Sequence, residues 1–304
     1  MVIVPLLLLL SLHPTITAMQ AKTDLRAIGQ AQHAAKAAEA KQQFTKADQV
    51  QASLWQQADG DSWRAQPHTK LVHFVRHGQG YHNLLGEVTR DYGATFSETG
   101  DYDLAVQENC PYLLPGIHDP PLTSIGREDA KRLKGLACTL QTELYVVSPM
   151  KRSTQTILIG FRDHMLQNPL VPIVAHEGCR EQVGVFLCDK RSSLSDYRDE
   201  YSSVDYSLME GGGEEDSMWQ TRSRESMLQM AWRADAFLTW LQARPEREVV
   251  VGTHSAWLMA LYNVALRVQA GSESLQTMFA TGELRSTLLT YFPPPPPSKN
   301  DLDF

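Results

Sequence analysis

Residues 71–78 read Leu71-Val72-His73-Phe74-Val75-Arg76-His77-Gly78, an apolar run that ends abruptly in a cation, an imidazole and a glycine. A nearly continuous run of Leu, Val and Phe is the composition of a strand buried on both faces of a parallel sheet. Such sheets bind ligands just beyond the carboxyl ends of their strands. Arg76-His77-Gly78 therefore falls where chemistry is usually done. Outward from this strand, short apolar segments and helix-like segments alternate. The pattern predicts strands at Leu71–Val75, Leu144–Val147, Val171–Val174, Glu248–Val251 and Thr287–Phe292. Helices are predicted from Thr123 or Ser124 through Lys134, and over Arg152–Phe161, Thr221–Ala243 and Ala256–Val268. Alternation of this kind implies a three-layer α/β/α architecture around a mostly parallel sheet. Gly93–Pro121 and Cys179–Gly213 have weak periodicity and many turn formers, and read as long insertions of the kind that serve as lids or binding elements.

The flanks read differently. Met1–Leu12 is an apolar stretch too short to span a bilayer, and it is stopped by His13-Pro14. Its length is that of a signal-peptide apolar region, and Thr17 and Ala18 suit cleavage, although no Lys or Arg precedes it. Residues 1–18 are read as a signal peptide or other hydrophobic leader, which predicts the secretory pathway or the cell exterior if it is cleaved and the cytoplasm otherwise. Residues 19–61, rich in Ala, Gln and Lys, read as a loosely attached helical linker without a core stripe. The five-proline run Pro293–Pro297 opens a tail, 293–304, that cannot pair in a sheet. The catalytic domain is thereby expected over 62–292.

With 304 residues, 42% hydrophobic and 21% charged, the chain has the composition of one soluble globular domain with appendages. A net charge of -7 speaks against a nucleic-acid partner, but a few arginines in a cleft can still hold an anion. The four cysteines, Cys110, Cys138, Cys179 and Cys188, lack the spacing of a zinc site. In an oxidising compartment Cys179 and Cys188 form the expected pair; otherwise they are buried free thiols.

Just past the predicted strands lie Arg76-His77-Gly78, Ser148-Pro149-Met150-Lys151-Arg152, His176 to Glu181, and Thr253-His254-Ser255. Two arginines, two histidines and a carboxylate converging on one sheet edge suit phosphoryl transfer. Guanidinium groups grip phosphate oxygens in pairs, and an imidazole is a nucleophile that needs no metal. Each residue alone has a bland reading as a structural or solvated group; together they describe a site. Arg180, Lys190, Arg191 and Arg198 add a basic cluster in an acidic protein, either a solvated loop or a seat for a second anionic group of the substrate.

These residues resemble the histidine phosphatase superfamily, in its phosphoglycerate-mutase-like branch. The resemblance is carried by Arg76-His77-Gly78 with Asn83, by Asp119-Pro120-Pro121-Leu122-Thr123-Ser124-Ile125-Gly126, by Ser148-Pro149 with Arg152 and Thr156, by Arg180-Glu181, and by Gly252-Thr253-His254-Ser255. The stretches around Glu181 to Val185 and Cys188 to Arg191 look most like eukaryotic phosphoglycerate-mutase-like proteins. The resemblance implies that His77 forms a phosphohistidine, that Arg76, Arg152 and His254 hold the equatorial oxygens, and that Glu181 is proton donor and then base. Gly78, Asn83, Thr123, Ser255, Arg180, Lys190 and Arg191 are the further candidates for binding phosphate or substrate. No metal or cofactor is implied. The expected activity is hydrolysis of a phosphomonoester on a small molecule or phosphoprotein. The alternatives are a phosphomutase of the phosphoglycerate type and a non-catalytic phospho-ligand binder. His82 and His176 carry no assigned role.

Overall fold

The computed structural model describes residues 31, 33–47, 49–89 and 110–292; the apolar leader, much of the first insertion and the proline tail lie outside these. The described elements begin with a helix over residues 33–43 (α1), strand Val50–Leu54 (β1), strand Thr69–Arg76 (β2) and helix Tyr81–Thr89 (α2). Helix Ser124–Arg132 (α3), strand Leu144–Val147 (β3), helix Lys151–Gly160 (α4) and strand Ile173–Ala175 (β4) follow. The chain continues through helix Leu194–Glu200 (α5), helix Met227–Ala243 (α6), strand Glu248–Thr253 (β5), helix Ser255–Ala260 (α7), and strands Arg267–Val268 (β6) and Leu284–Tyr291 (β7).

Seven strands among the described residues form one sheet in the order β4-β3-β5-β2-β7-β1-β6. The four strands β4, β3, β5 and β2 run parallel, and β7 is antiparallel to both β2 and β1. Side chains alternate between two cores. Val72, Phe74, Leu144, Val146, Val249 and Val251 join the core beneath α1, α6 and α7. Val75, Tyr145, Val147 and Val250 join the opposite one. A strand that buries both faces is apolar along most of its middle, which is why β2, β3 and β5 read as apolar runs; the buried His73 within β2 is met by Ser286 at 2.8 Å.

Several boundaries differ from expectation for identifiable reasons. Pairing of β4 starts two residues late because Pro172 has no N–H to give, although its carbonyl accepts from Tyr145. Helix α6 starts at Met227 rather than Thr221 because Ser226 and Gln229 cap each other reciprocally there, Gln229 N–H donating to the Ser226 hydroxyl at 3.2 Å and Ser226 N–H to Gln229 Oε1 at 2.7 Å. The expected helix to Val268 ends early: α7 passes into a single π-helical segment, Leu261–Ala265, and Arg267–Val268 pairs with β1 as a strand.

The expected linker over 19–61 is corrected more strongly. Its residues 50–54 form β1, seated between β7 and β6. Its helix α1 buries Ala37 and Ala40 in the main core, and Phe44, just past the helix, joins them with its ring 4.6 Å from that of Trp232 on α6. Lys46 pairs with Asp235 at 3.0 Å. The folded unit therefore begins before residue 62.

The Cys179–Cys188 bridge is absent as well, and both thiols are free and buried. Cys179 belongs to the main core and donates to the His176 carbonyl at 3.2 Å. Cys188 sits in a separate apolar cluster with Tyr112, Val185 and Phe186. Burial pushes both thiols up from their ordinary range.

Candidate active site

His77 leaves β2 at its carboxyl end, and its ring is closed into place by an Nδ1 contact of 2.7 Å to the carbonyl of Gly78. A carbonyl only accepts, so Nδ1 carries the hydrogen and Nε2 keeps its lone pair. The rings of His254, just past β5, and His82, on α2, lie 5.0 Å and 5.5 Å from that of His77. Burial and then the Arg152 charge hold all three imidazoles well below their ordinary pKa. A neutral imidazole with a fixed free nitrogen is a nucleophile.

Arg152 is wholly buried near the start of α4. Its Nη1 donates to the Cys188 carbonyl at 2.6 Å and its Nη2 to Asp189 Oδ1 at 2.9 Å. Asp189 spends its other oxygen on Arg224 Nη2, also at 2.9 Å, and the Arg224 guanidinium stacks 3.9 Å above the Phe186 ring. Arg224 is thus the far end of a chain that orients Arg152. Arg76 donates to the Phe279 carbonyl at 2.6 Å, and its charge reaches His77 and His82.

Glu181 stands at the first turn of α7. Its Oε1 accepts from the N–H groups of Gln182, Ala256 and Trp257 at 3.0, 3.1 and 3.2 Å. Oε2 is held more loosely, by the Ser255 hydroxyl at 3.3 Å and the Ala256 N–H at 3.4 Å. Burial, reinforced by the charge of Asp189, raises its pKa despite these donors and Arg152. A proton retained by this carboxyl therefore belongs on Oε2.

The remaining expected binding residues divide sharply. Ser255 serves Glu181. Asn83 turns its Oδ1 back to accept from Gly80 N–H at 3.0 Å, as a helix-start side chain does. Thr123 caps α3, accepting from Gly126 N–H at 3.0 Å and donating to Gln79 Oε1 at 2.8 Å. Gly78 is demanded by packing rather than only by ligand approach, because a Cβ there would stand 2.3 Å from the Gly126 carbonyl oxygen. The expected second anion seat is corrected. Arg180 is buried in ion pairs with Asp216 and Glu177 at 2.6 and 2.8 Å, and Arg191 pairs with Glu177 at 2.8 Å while binding the carbonyls of Gly213, Glu214 and Glu215. Lys190 rests 5.2 Å above the Trp219 ring. The two arginines pin the insertion to itself.

A sequence profile of the histidine phosphatase superfamily (branch 1) matches residues 106–281, which hold Arg152, Glu181 and His254. The chain belongs to this superfamily. The matched stretch starts after Arg76-His77-Gly78, which the fold brings to the same edge of the sheet as Arg152 and His254. Phosphoglycerate mutase-like protein 1 of Arabidopsis thaliana is 31% identical over 250 residues, covering 72% of this chain and 81% of its own. Phosphomutase-like protein 3 of Candida albicans is 24% identical over 245 residues, covering 75% and 74%. Among solved structures, an alpha-ribazole phosphatase from Shigella flexneri is 16% identical with a TM-score of 0.42, covering 71% of this chain and 89% of its own.

Two residues without an assigned role find their places beside this superfamily site. A Cβ on Gly80 would stand 2.8 Å from the His82 ring, so Gly80 opens the space that seats His82 beside His77. His176 is structural: its Nδ1 accepts from Gly178 N–H at 2.8 Å and its ring lies 4.5 Å from that of Trp240. Burial lowers the His176 pKa to about 4, and burial with Lys36, Arg224 and Arg76 nearby lowers His33 on α1 to about 4. A histidine depressed in the fold takes up its proton more readily unfolded, so stability is full above pH 6.5 and falls as pH drops from there toward 4. Each such group contributes a slope of about 1.4 kcal/mol per pH unit in that window. Urea unfolding at pH 7 and pH 5 is expected to show the drop. His176→Asn, which keeps an acceptor at the Nδ1 position, is expected to flatten it by one proton; an unchanged slope would show that His176 titrates normally.

Proposed function

We propose that this chain is a phosphomonoester hydrolase that works through a phosphohistidine on Nε2 of His77. The observation that carries the reading is the Nδ1 hydrogen bond of His77 to Gly78, which leaves Nε2 as a neutral, lone-pair-bearing atom beside two arginines and His254. Nε2 attacks phosphorus in line as the ester P–O bond breaks, and the departing alkoxide takes the proton from Oε2 of Glu181. Arg76, Arg152 and His254 stabilise the charge on the equatorial oxygens. Water then attacks the phosphohistidine, giving its proton to the Glu181 carboxylate as the N–P bond breaks and phosphate leaves. The raised pKa of Glu181 suits the first half of this cycle, since a proton donor must hold its proton until the leaving group needs it.

The relatives' names favour one rival, a phosphomutase that returns the phosphoryl group to the substrate before water arrives. A panel of phosphomonoesters, assayed for inorganic phosphate without any bisphosphorylated primer, separates the two. Primer-independent phosphate release is the expected result. An isomerised ester formed only with primer would make the enzyme a mutase.

A further inference from the structure

Ser148 lies immediately beyond β3 with no exposed surface, and nothing in the proposed chemistry uses it. Its backbone is held from both sides, the N–H donating to the Gly252 carbonyl at 2.9 Å and the carbonyl accepting from the Thr154 hydroxyl at 3.2 Å. The side chain therefore has little freedom, and its Oγ stands 2.7 Å from Nε2 of His254. The other ring nitrogen of His254, Nδ1, is buried without a hydrogen-bond partner. An unpartnered polar atom is costly in the interior unless something arrives to meet it.

We infer that Ser148 is a positioning residue that donates its hydroxyl hydrogen to Nε2 of His254, so that Nδ1 carries the ring hydrogen and presents it to a phosphoryl oxygen. The inference rests on the proposed phosphoryl chemistry for what Nδ1 meets, but not for which nitrogen is protonated. The opposite arrangement fails on two counts. If Nε2–H donated to Ser148, the hydroxyl hydrogen would have no acceptor, since Oγ has no other partner among the described residues. The Nδ1 lone pair would also be turned on an incoming anion. With the hydroxyl donating, both hydrogens are used. The two rings, 5.0 Å apart, then share one tautomer for opposite ends: His77 exposes the lone pair of Nε2, and His254 exposes the hydrogen of Nδ1. Burial beside Arg152 keeps His254 neutral, so a tautomer choice exists to be made.

Ring nitrogen chemical shifts of the full chain, labelled with 15N-histidine, test this without any variant. For His254 the expected pattern is a protonated-type Nδ1 and a lone-pair-type Nε2; the reverse pattern overturns the inference. In Ser148→Ala the His254 signals are expected to move toward a tautomer mixture and kcat to fall roughly tenfold, the scale of one lost neutral hydrogen bond with its orientation. Ser148→Thr, which restores the hydroxyl, is expected to recover both. Ser148→Ala with wild-type kcat and unmoved His254 shifts would refute the role of Ser148 while leaving the phosphohistidine reading intact. Failure to find phosphate on His77 of the wild-type enzyme would do the converse, because the tautomer pattern would still be there to measure.

Discussion

His77→Ala is expected to abolish turnover, with a loss on the order of 10^4-fold or more, and to remove the acid-labile, base-stable phosphoenzyme altogether. The size of the effect follows from the geometry. Nε2 of His77 is the nucleophilic atom in the proposal, and the other two imidazoles of the cluster are not equivalent to it. His254 has its Nε2 taken by Ser148, and neither it nor His82 has an Nδ1 bonded to a backbone carbonyl as His77 does. The arginines and the Glu181 carboxyl survive the substitution, so phosphomonoester binding is expected to persist while chemistry stops. Quenching in base after exposure to labelled substrate reads the phosphoenzyme directly, and competition by inorganic phosphate reads the binding. Labelling of the variant at the wild-type level would mean that another residue is the nucleophile. A variant that neither labels nor binds would point to collapse of the buried pocket, which thermal unfolding would reveal.

The parts of the molecule legible in the sequence are those where one physical demand dominates. β2, β3 and β5 bury both faces, so their apolar runs could mean little else, and the residues just beyond them could be assigned to one edge. That logic placed Arg76, His77, Arg152 and His254 together. It missed β1 because Val50-Gln51-Ala52-Ser53-Leu54 alternates weakly, with only Val50 and Ala52 buried, and it follows a polar helix. It missed the docking of α1 because that helix presents only two alanines, with one phenylalanine just past its end, too little apolar bulk to register as a stripe.

In the site, failure followed from charge partners that are remote in sequence. Glu177, three residues from Arg180, is near enough to have been suspected, but the second partner of Arg180, Asp216, lies 36 residues away, and the carbonyls that hold Arg191 lie 22 to 24 residues away. Arg224 looked unremarked for the same reason: its partner Asp189 is 35 residues distant, and Arg224 follows no strand. Ser148 was visible in Ser148-Pro149, but a lone hydroxyl gains meaning only when the ring across from it is known. Local pattern fixes what a strand end carries; it does not reveal which of those charges is already spent.

Glu181→Gln is expected to lose roughly 100-fold or more on an alkyl phosphate, the usual scale for one acid-base catalyst, and far less on an activated aryl phosphate when phosphorylation of His77 is limiting. The difference arises from the leaving group. An alkoxide is too basic to depart without a proton, whereas an aryl oxide of low basicity departs unaided. Glutamine suits the test because its carbonyl oxygen can take the place of Oε1 and accept from the Gln182, Ala256 and Trp257 N–H groups, so the first turn of α7 keeps its cap. Its amide nitrogen then falls at Oε2, where the Ser255 hydroxyl and, at 3.4 Å, the Ala256 N–H were the donors; Ser255 can rotate to accept instead, and the Ala256 N–H keeps its nearer acceptor at the Oε1 position. What is removed is therefore the transferable proton and little else. Single-turnover phosphorylation of His77 with the two esters isolates the step from later hydrolysis. Equal losses on both would show that the proton comes from elsewhere. The nearby carboxylates offer poor replacements: Asp189 is tied between Arg152 and Arg224, and Asp119 accepts from Lys151 N–H, the Ser192 hydroxyl and the Tyr197 hydroxyl. In the wild-type enzyme the alkyl reaction is also expected to decline toward high pH as Glu181 ionises, with that limb displaced upward by the burial that raises its pKa. The limb should vanish in Glu181→Gln, and its persistence would assign it to another group.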